Sequence, residues 1–257
     1  MSQAVHLKQL AKKMLPASLI EQYRTVRRNR KWGAYQAFLR GKSGIEIGGP
    51  SPFFRDETGI YKIIAALDGV NFSAETIWEG SIAAGNHYNF ALGRTGRQLI
   101  AEAADLHIIE SGCYQFLISS NCLEHMANPL GALQEWIRVV ESGGLMLLVL
   151  PNKDSNFDHR RPATLFEHLM DDQNAKTSEE DMTHLAEVLE LHDLSLDPGA
   201  GDRENFIARC MENYKYRGMH HHVFDMVLIE RMLSHLGVKL LLRTTTETDF
   251  IVLGRIP

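Results

Sequence analysis

At 257 residues, with 44% hydrophobic and 23% charged residues, the chain has an ordinary globular composition and room for one α/β domain with appendages or two small domains. No apolar run approaches the roughly 18 residues that span a bilayer, the N-terminus lacks a signal-peptide core, and Cys113, Cys122 and Cys210 form neither a disulfide framework nor a zinc spacing, so a reducing cytoplasm is expected. The net charge of −5 is uneven: residues 1–44 carry ten Lys/Arg against Glu21 (+9), leaving 17 basic and 31 acidic residues elsewhere (−14), which argues against nucleic acid as substrate.

Residues 7–40 read as two amphipathic helices broken at Pro16, with Arg24, Arg27, Arg28, Arg30 and Lys31 clustered between apolar positions. The pattern admits two roles, an arm packed over the core or a peripheral anchor on anionic lipid at the inner membrane face. Gly44–Ser51 follows, a short buried strand carrying Glu46 that ends in the Gly48-Gly49 turn. Glycine there lets the backbone turn sharply and approach a ligand at the carboxyl edge of a sheet. Ile63 to Phe72 reads as a second strand, and Asp68 falls roughly 20 residues past the glycines, where a nucleotide-type site places a ribose-binding acid.

The stretch from Trp78 to Gly96 has no clear period and reads as helix or irregular loop. Arg97–Leu106 reads as a third strand running into a turn, and Tyr114–Ser120 as a fourth. Asn128-Pro129 is a cap followed by a first-turn proline, and opens a helix that stops at Ser142-Gly143-Gly144. Leu145–Leu150 is an aliphatic strand of the kind covered on both faces. Residues 153–219 are acidic, rich in histidine and outside a minimal sheet, with a helix expected over Glu179–His192 capped by Ser178. Asp225 caps a further helix, and Val238–Leu242 and Phe250–Leu253 are the last two strands.

Several of these segments resemble motifs of the class I (Rossmann-like) S-adenosylmethionine-dependent methyltransferases. Glu46-Ile47-Gly48-Gly49 corresponds to Glu/Asp-x-Gly-x-Gly, although the second family glycine falls at Pro50 and the third is absent. Gly69–Ser73 resembles Gly-Val-Asp-x-Ser and puts Asn71 in the ribose role beside the alternative, Asp68. Glu102–Leu106 resembles Asp-Ala-x-x-Leu, so Glu102 and Ala103 fall at the adenine, with Asp105 as the other candidate. Asn121–His125 resembles the end of the family's fourth strand.

The resemblance covers residues 41–150 and, more loosely, 220 to the end. It implies an α/β fold with a doubly wound, seven-stranded, mostly parallel sheet whose last strand is antiparallel. A basic helical arm (1–40) would precede a methyltransferase domain (41–257), and the insertion after strand five (153–219) would cap the acceptor side. The implied cofactor is S-adenosyl-L-methionine. Glu46, Gly48, Gly49, Asp68, Asn71, Glu102, Ala103 and Asn121 are its expected contacts.

An acceptor hydroxyl needs a base, and positioned histidine is the usual one. Asp158-His159-Arg160-Arg161 supplies an imidazole, an adjacent acid and two guanidiniums that would suit an acceptor carboxylate or phosphate. His220-His221-His222 is the second cluster; in an extended chain His220 and His222 share a face. His125 is a third candidate. The expected catalytic residues are therefore His159, His222 and Asp158, with Arg160, Arg161 and His220 on the substrate and no metal site. The expected activity is methyl transfer, with a lean toward oxygen, to a small-molecule or glycan-linked acceptor. The alternatives are a non-catalytic binding module and a nucleotide- or sugar-modifying enzyme on a similar fold.

Overall fold

The computed structural model describes residues 30–257. A helix over residues 30–39 (α1) leads into β1 (Ser43–Ile47), and two short helical turns connect this to β2 (Ala66–Asn71). Next come β3 (Glu75–Thr76), β4 (Gly80–Ser81), β5 (Gly85–Ala91), β6 (Arg94–Ile100) and β7 (Tyr114–Ser120). Helix α2 (Pro129–Arg138) precedes β8 (Val140–Pro151). The insertion carries α3 (Phe166–Ala175), α4 (Leu185–Leu191), α5 (Arg203–Met211) and α6 (Asn213–Tyr216). Helix α7 (Met226–His235), β9 (Lys239–Thr245) and β10 (Asp249–Arg255) complete the chain.

The main sheet has the order β5-β6-β2-β1-β7-β8-β10-β9. Strands β6, β2, β1, β7 and β8 run parallel, while β10 is antiparallel to both β8 and β9. From β1 the chain winds outward through β2 to β6, then returns to the other side of β1 as β7. The carboxyl ends of β1 and β7 therefore flank a topological switch point, the place where open α/β sheets bind ligands. Both faces are covered. Ile45 and Ile47 face a core built with α2 and α7 around Trp136, Leu133 and Met232. Phe116 and Ile118 face a second core with Trp32, Tyr35 and Leu39 of α1.

Two caps hold as expected: Asn128 Oδ1 accepts from Gly131 N–H at 2.9 Å, and Asp225 Oδ1 from Leu228 N–H at 2.7 Å. The irregular reading of the Trp78–Gly96 stretch is corrected. Residues there form β4, which pairs with β3 in a separate two-stranded sheet, and most of the β5–β6 hairpin, whose β5 gives the main sheet eight strands instead of seven. The β5–β6 turn is only Leu92-Gly93, with Gly93 at φ +68°, a conformation that glycine adopts without cost. The helix expected over Glu179–His192 is shorter, and His184 precedes it where a Ser178 cap was expected. The packing role fits the described part of the arm, since Trp32, Tyr35 and Leu39 are buried. The rest of the arm lies outside the described residues.

Candidate functional site

A cleft of about 820 Å³ opens at the carboxyl edge of the sheet, within the range of roughly 300–1,000 Å³ typical of small-molecule sites. Ile47 and Gly48 after β1, Asn71 after β2, Ala103 after β6 and Ser120-Asn121 after β7 line one end of it. Gly48 has φ +77°, and a Cβ there would lie 2.9 Å from Cys122 Sγ. At Gly49 a Cβ would lie 2.3 Å from both Glu46 Cδ and the Tyr88 hydroxyl oxygen. Packing thus requires both glycines, and the loop presents backbone to the cleft.

Glu46 has a different place from the one expected. It is fully buried on the α1 side of the sheet and does not line the cleft. Its Oε2 accepts from the hydroxyls of Tyr61 and Tyr88, each at 2.6 Å, and its Oε1 accepts from Ser51 N–H at 3.0 Å. Burial pushes this carboxyl up to about 7, against the lowering effect of those three donors. Glu46 ties the glycine loop to the sheet and acts on the site through backbone position.

Of the two ribose candidates, only Asn71 reaches the cleft, and its amide donates to the Gly49 carbonyl at 3.0 Å. Asp68 is corrected: it sits mid-strand, with Oδ2 accepting from Arg97 Nε and from the Tyr114 hydroxyl, each at 2.9 Å. Sequence spacing finds an acid near the strand end but not the direction it points. Ala103 lines the cleft, and its carbonyl accepts from Trp136 Nε1 at 2.8 Å. Glu102 does not line the cleft; its Oε1 accepts from Nη2 of Arg217, which does, at 2.8 Å. Arg217, buried and at φ +52°, also lies 2.6 Å from Glu179 Oε2 and stacks on Phe72. It straps the insertion across the cofactor end, and no family motif pointed to it. Asp105 is exposed beside His107.

The other end of the cleft is built by the insertion, where the Asp158–His159 pairing is corrected. His159 lies outside the cleft with Nε2 3.0 Å from Asp193 Oδ2, and Arg160 donates to the same oxygen at 2.6 Å. Asp158 instead meets His220: its Oδ2 is 2.5 Å from Nδ1. Arg161 is no open anion subsite. It is 1% exposed and donates to Asp158 at 3.0 Å, to Glu187 at 2.8 Å and to the His220 and His221 carbonyls at 2.9 and 3.1 Å. His222 is fully buried away from the cleft, because the chain bends through 220–222 instead of running extended.

His220 lines the cleft, as do Glu124 and His125. The His125 and His220 rings meet edge-on at 4.6 Å, and Phe157 covers His220 at 4.8 Å. Burial alone would lower the His220 pKa, but the charge and hydrogen bond of Asp158, with the charge of Glu124, outweigh it and raise it. Asp158 is itself held at about 2: burial opposes its charge, and His220 and Arg161 more than offset that. Burial pushes Glu124 up to about 7, and neither of its carboxyl oxygens has a hydrogen-bond partner. Burial pushes the Cys122 thiol up to about 12.

The sheet order and the cleft at its switch point define a doubly wound α/β domain with its ligand site at the carboxyl edge of the sheet. Residues 61–148 match the family model described as "Methyltransferase domain". Among solved structures, the PH0226 protein of Pyrococcus horikoshii OT3 is 12% identical with a TM-score of 0.50, over 91% of each chain. A SAM-dependent methyltransferase from Aquifex aeolicus is 11% identical with a TM-score of 0.47, covering 95% of this chain and all of its own. One from Mesorhizobium loti is 12% identical with a TM-score of 0.47, over 88% and 97%. No curated protein matches the chain in sequence. The likeness to the Pyrococcus protein is one of fold, while the family match covers Asn71, Glu102–Leu106 and Asn121–His125 but not the Gly48-Gly49 turn.

That match supports S-adenosyl-L-methionine as the cofactor, and the cradle fits it. Gly48 and Ala103 leave room, and Asn71 and Asn121 stand at the ends of β2 and β7, on either side of β1. Asn121 takes φ +49°, a left-handed position that asparagine tolerates better than most residues. Among the described residues no helix is long and apolar enough to cross a membrane.

Proposed function

We propose that the protein is an S-adenosylmethionine-dependent methyltransferase that methylates a hydroxyl oxygen of a small-molecule or glycan-linked acceptor, with His220 as general base. The observation that carries this reading is His220, which lines the same cleft as Gly48, Asn71 and Asn121 and is backed by the buried Asp158 carboxylate 2.5 Å from its Nδ1. When bound, S-adenosylmethionine supplies a methyl group on a sulfonium, already activated for in-line displacement. The chain's residues then have three tasks: alignment, exclusion of water and removal of one proton.

The backbone at Gly48 and the side chains of Asn71 and Asn121 would hold the cofactor at the strand ends, with Ala103 leaving space for its base. His220 donates Nδ1–H to Asp158, which fixes the tautomer and leaves Nε2 with a lone pair for the acceptor hydroxyl. Arg161 fixes Asp158 in turn, so the base is held by a chain of buried charge-assisted bonds. Glu124, buried and without a hydrogen-bond partner, is suited to accept from a second hydroxyl of the acceptor. Trp78 and Phe157 flank His125 and His220 and limit water at the transfer end. Calorimetric titration of the full chain with S-adenosylmethionine tests the cofactor half of this reading. A screen of hydroxyl, amine and thiol acceptors with methyl-labelled cofactor tests the other half. Transfer confined to amine or thiol acceptors would overturn the oxygen assignment.

A further inference from the structure

The insertion holds a second histidine cluster, separate from the cleft. His168 and Asp172 project from one face of α3 at i and i+4, His184 immediately precedes α4, and His222 precedes α7. His168 Nε2 lies 3.0 Å from His184 Nε2 and 3.4 Å from Asp172 Oδ2, which is 3.6 Å from His222 Nε2. One ligand atom from each of the four falls within 4.8 Å of every other. Tetrahedral zinc with bonds of about 2.0–2.1 Å holds its ligand atoms about 3.3–3.4 Å apart, in the middle of the observed contacts.

We propose that His168, Asp172, His184 and His222 bind one divalent zinc-class cation that fastens the insertion to the segment carrying His220. Two features support this beyond the spacing. Asp172 Oδ2 is buried and has no hydrogen-bond partner, while Oδ1 accepts from Thr177 at 3.0 Å, an outer bond that would aim the free oxygen. His168 and His184 face each other through ring nitrogens, an arrangement that a shared cation satisfies without asking either to donate.

Three nitrogens and one oxygen, with no thiolate, favour zinc over a soft cation and leave no open position in a tetrahedral shell. The site is therefore structural. It links α3, the head of α4 and the residue two positions from His220, and so sets the wall opposite the glycine loop. This inference does not rest on methyl transfer and is read by metal content.

The test uses the full chain stripped with chelator, reloaded with excess zinc or cobalt(II) and freed of unbound metal by gel filtration. One equivalent of zinc per chain and an intense tetrahedral cobalt absorption are expected. Asp172→Asn, which preserves size, and His184→Ala should each retain less than a tenth of an equivalent, with circular dichroism reporting the fold. If His184→Ala misfolds, Asp172→Asn decides. His125→Ala, in the cleft cluster of Glu124, His125 and His220, should keep the full equivalent. Wild-type protein without retained metal, a folded Asp172→Asn with a full equivalent, or loss of the metal in His125→Ala would each overturn the proposal.

Discussion

His220→Asn tests the base directly. Asparagine places an amide N–H close to where His220 Nδ1 meets Asp158, so the buried carboxylate keeps a donor, and the second ring nitrogen disappears. His220→Ala would instead leave Asp158 with Arg161 alone, and breaking a buried charged pair costs about 3–5 kcal/mol. Asparagine therefore separates chemistry from stability. Turnover should fall by roughly 10²–10⁴, about 3–5 kcal/mol in the barrier, with S-adenosylmethionine affinity within a few-fold and a thermal midpoint near wild type.

The pH dependence adds a second readout. A base must be neutral to accept a proton, and the Asp158 charge raises the His220 pKa above its ordinary value. The wild-type rate should therefore rise with pH along a limb above the usual ~6.5. That limb should vanish in His220→Asn. In Asp158→Asn burial is left to dominate, and the limb should move to lower pH. The assay is single-turnover transfer of labelled methyl to an acceptor found by the screen, across pH 5–9. A folded His220→Asn protein with normal turnover and an unchanged limb would refute the assignment of the base.

Gly48→Val should abolish cofactor binding in calorimetry and lower the thermal midpoint, because the Cβ meets Cys122 at 2.9 Å at a positive φ and the ligand approaches the same backbone; full binding would refute the cradle. Glu124 has its folded pKa raised to about 7, so its contribution to stability is full below its unfolded value and is lost as pH rises through about 7. Glu124→Gln should therefore be more stable than wild type at pH 8, by up to roughly 3 kcal/mol, and lose that advantage near pH 4, a difference denaturant melts would detect. Arg217→Met should destabilise the protein by about 3–5 kcal/mol, since Glu102 and Glu179 lose their shared cation; an unchanged denaturation midpoint would remove the strap. Removing residues 1–29 should leave cofactor affinity within a few-fold, and if those residues anchor on anionic lipid, vesicle binding should weaken steeply with salt.

Local patterns in the sequence carried much of the fold. Alternating and aliphatic runs located β1, β7 and β8, and Asn128-Pro129 and Asp225 announced two helices, because strand burial and helix capping are settled within a few residues. The glycine turn was legible for the same reason: Gly48 needs a positive φ that its own chain requires. Side-chain direction was a different matter. Asp68 and Asn71 are three residues apart in one strand, yet one faces Arg97 and the other the cleft, as the sheet's register decides. The β5–β6 hairpin escaped notice because β5 and the start of β6 are largely polar, and pairing at the sheet edge holds them.

The catalytic end was decided by tertiary structure almost alone. Asp158 is next to His159 in the chain but meets His220, 62 residues away. Arg161 forces that pairing by gathering the carboxylate and the carbonyls of His220 and His221 around one buried guanidinium. His220 and His222, two residues apart, part company for the same reason: the bend at 220–222 sends one ring into the cleft and the other to Asp172. A buried charge takes whichever partner the fold brings within reach, and distance along the chain does not measure that reach.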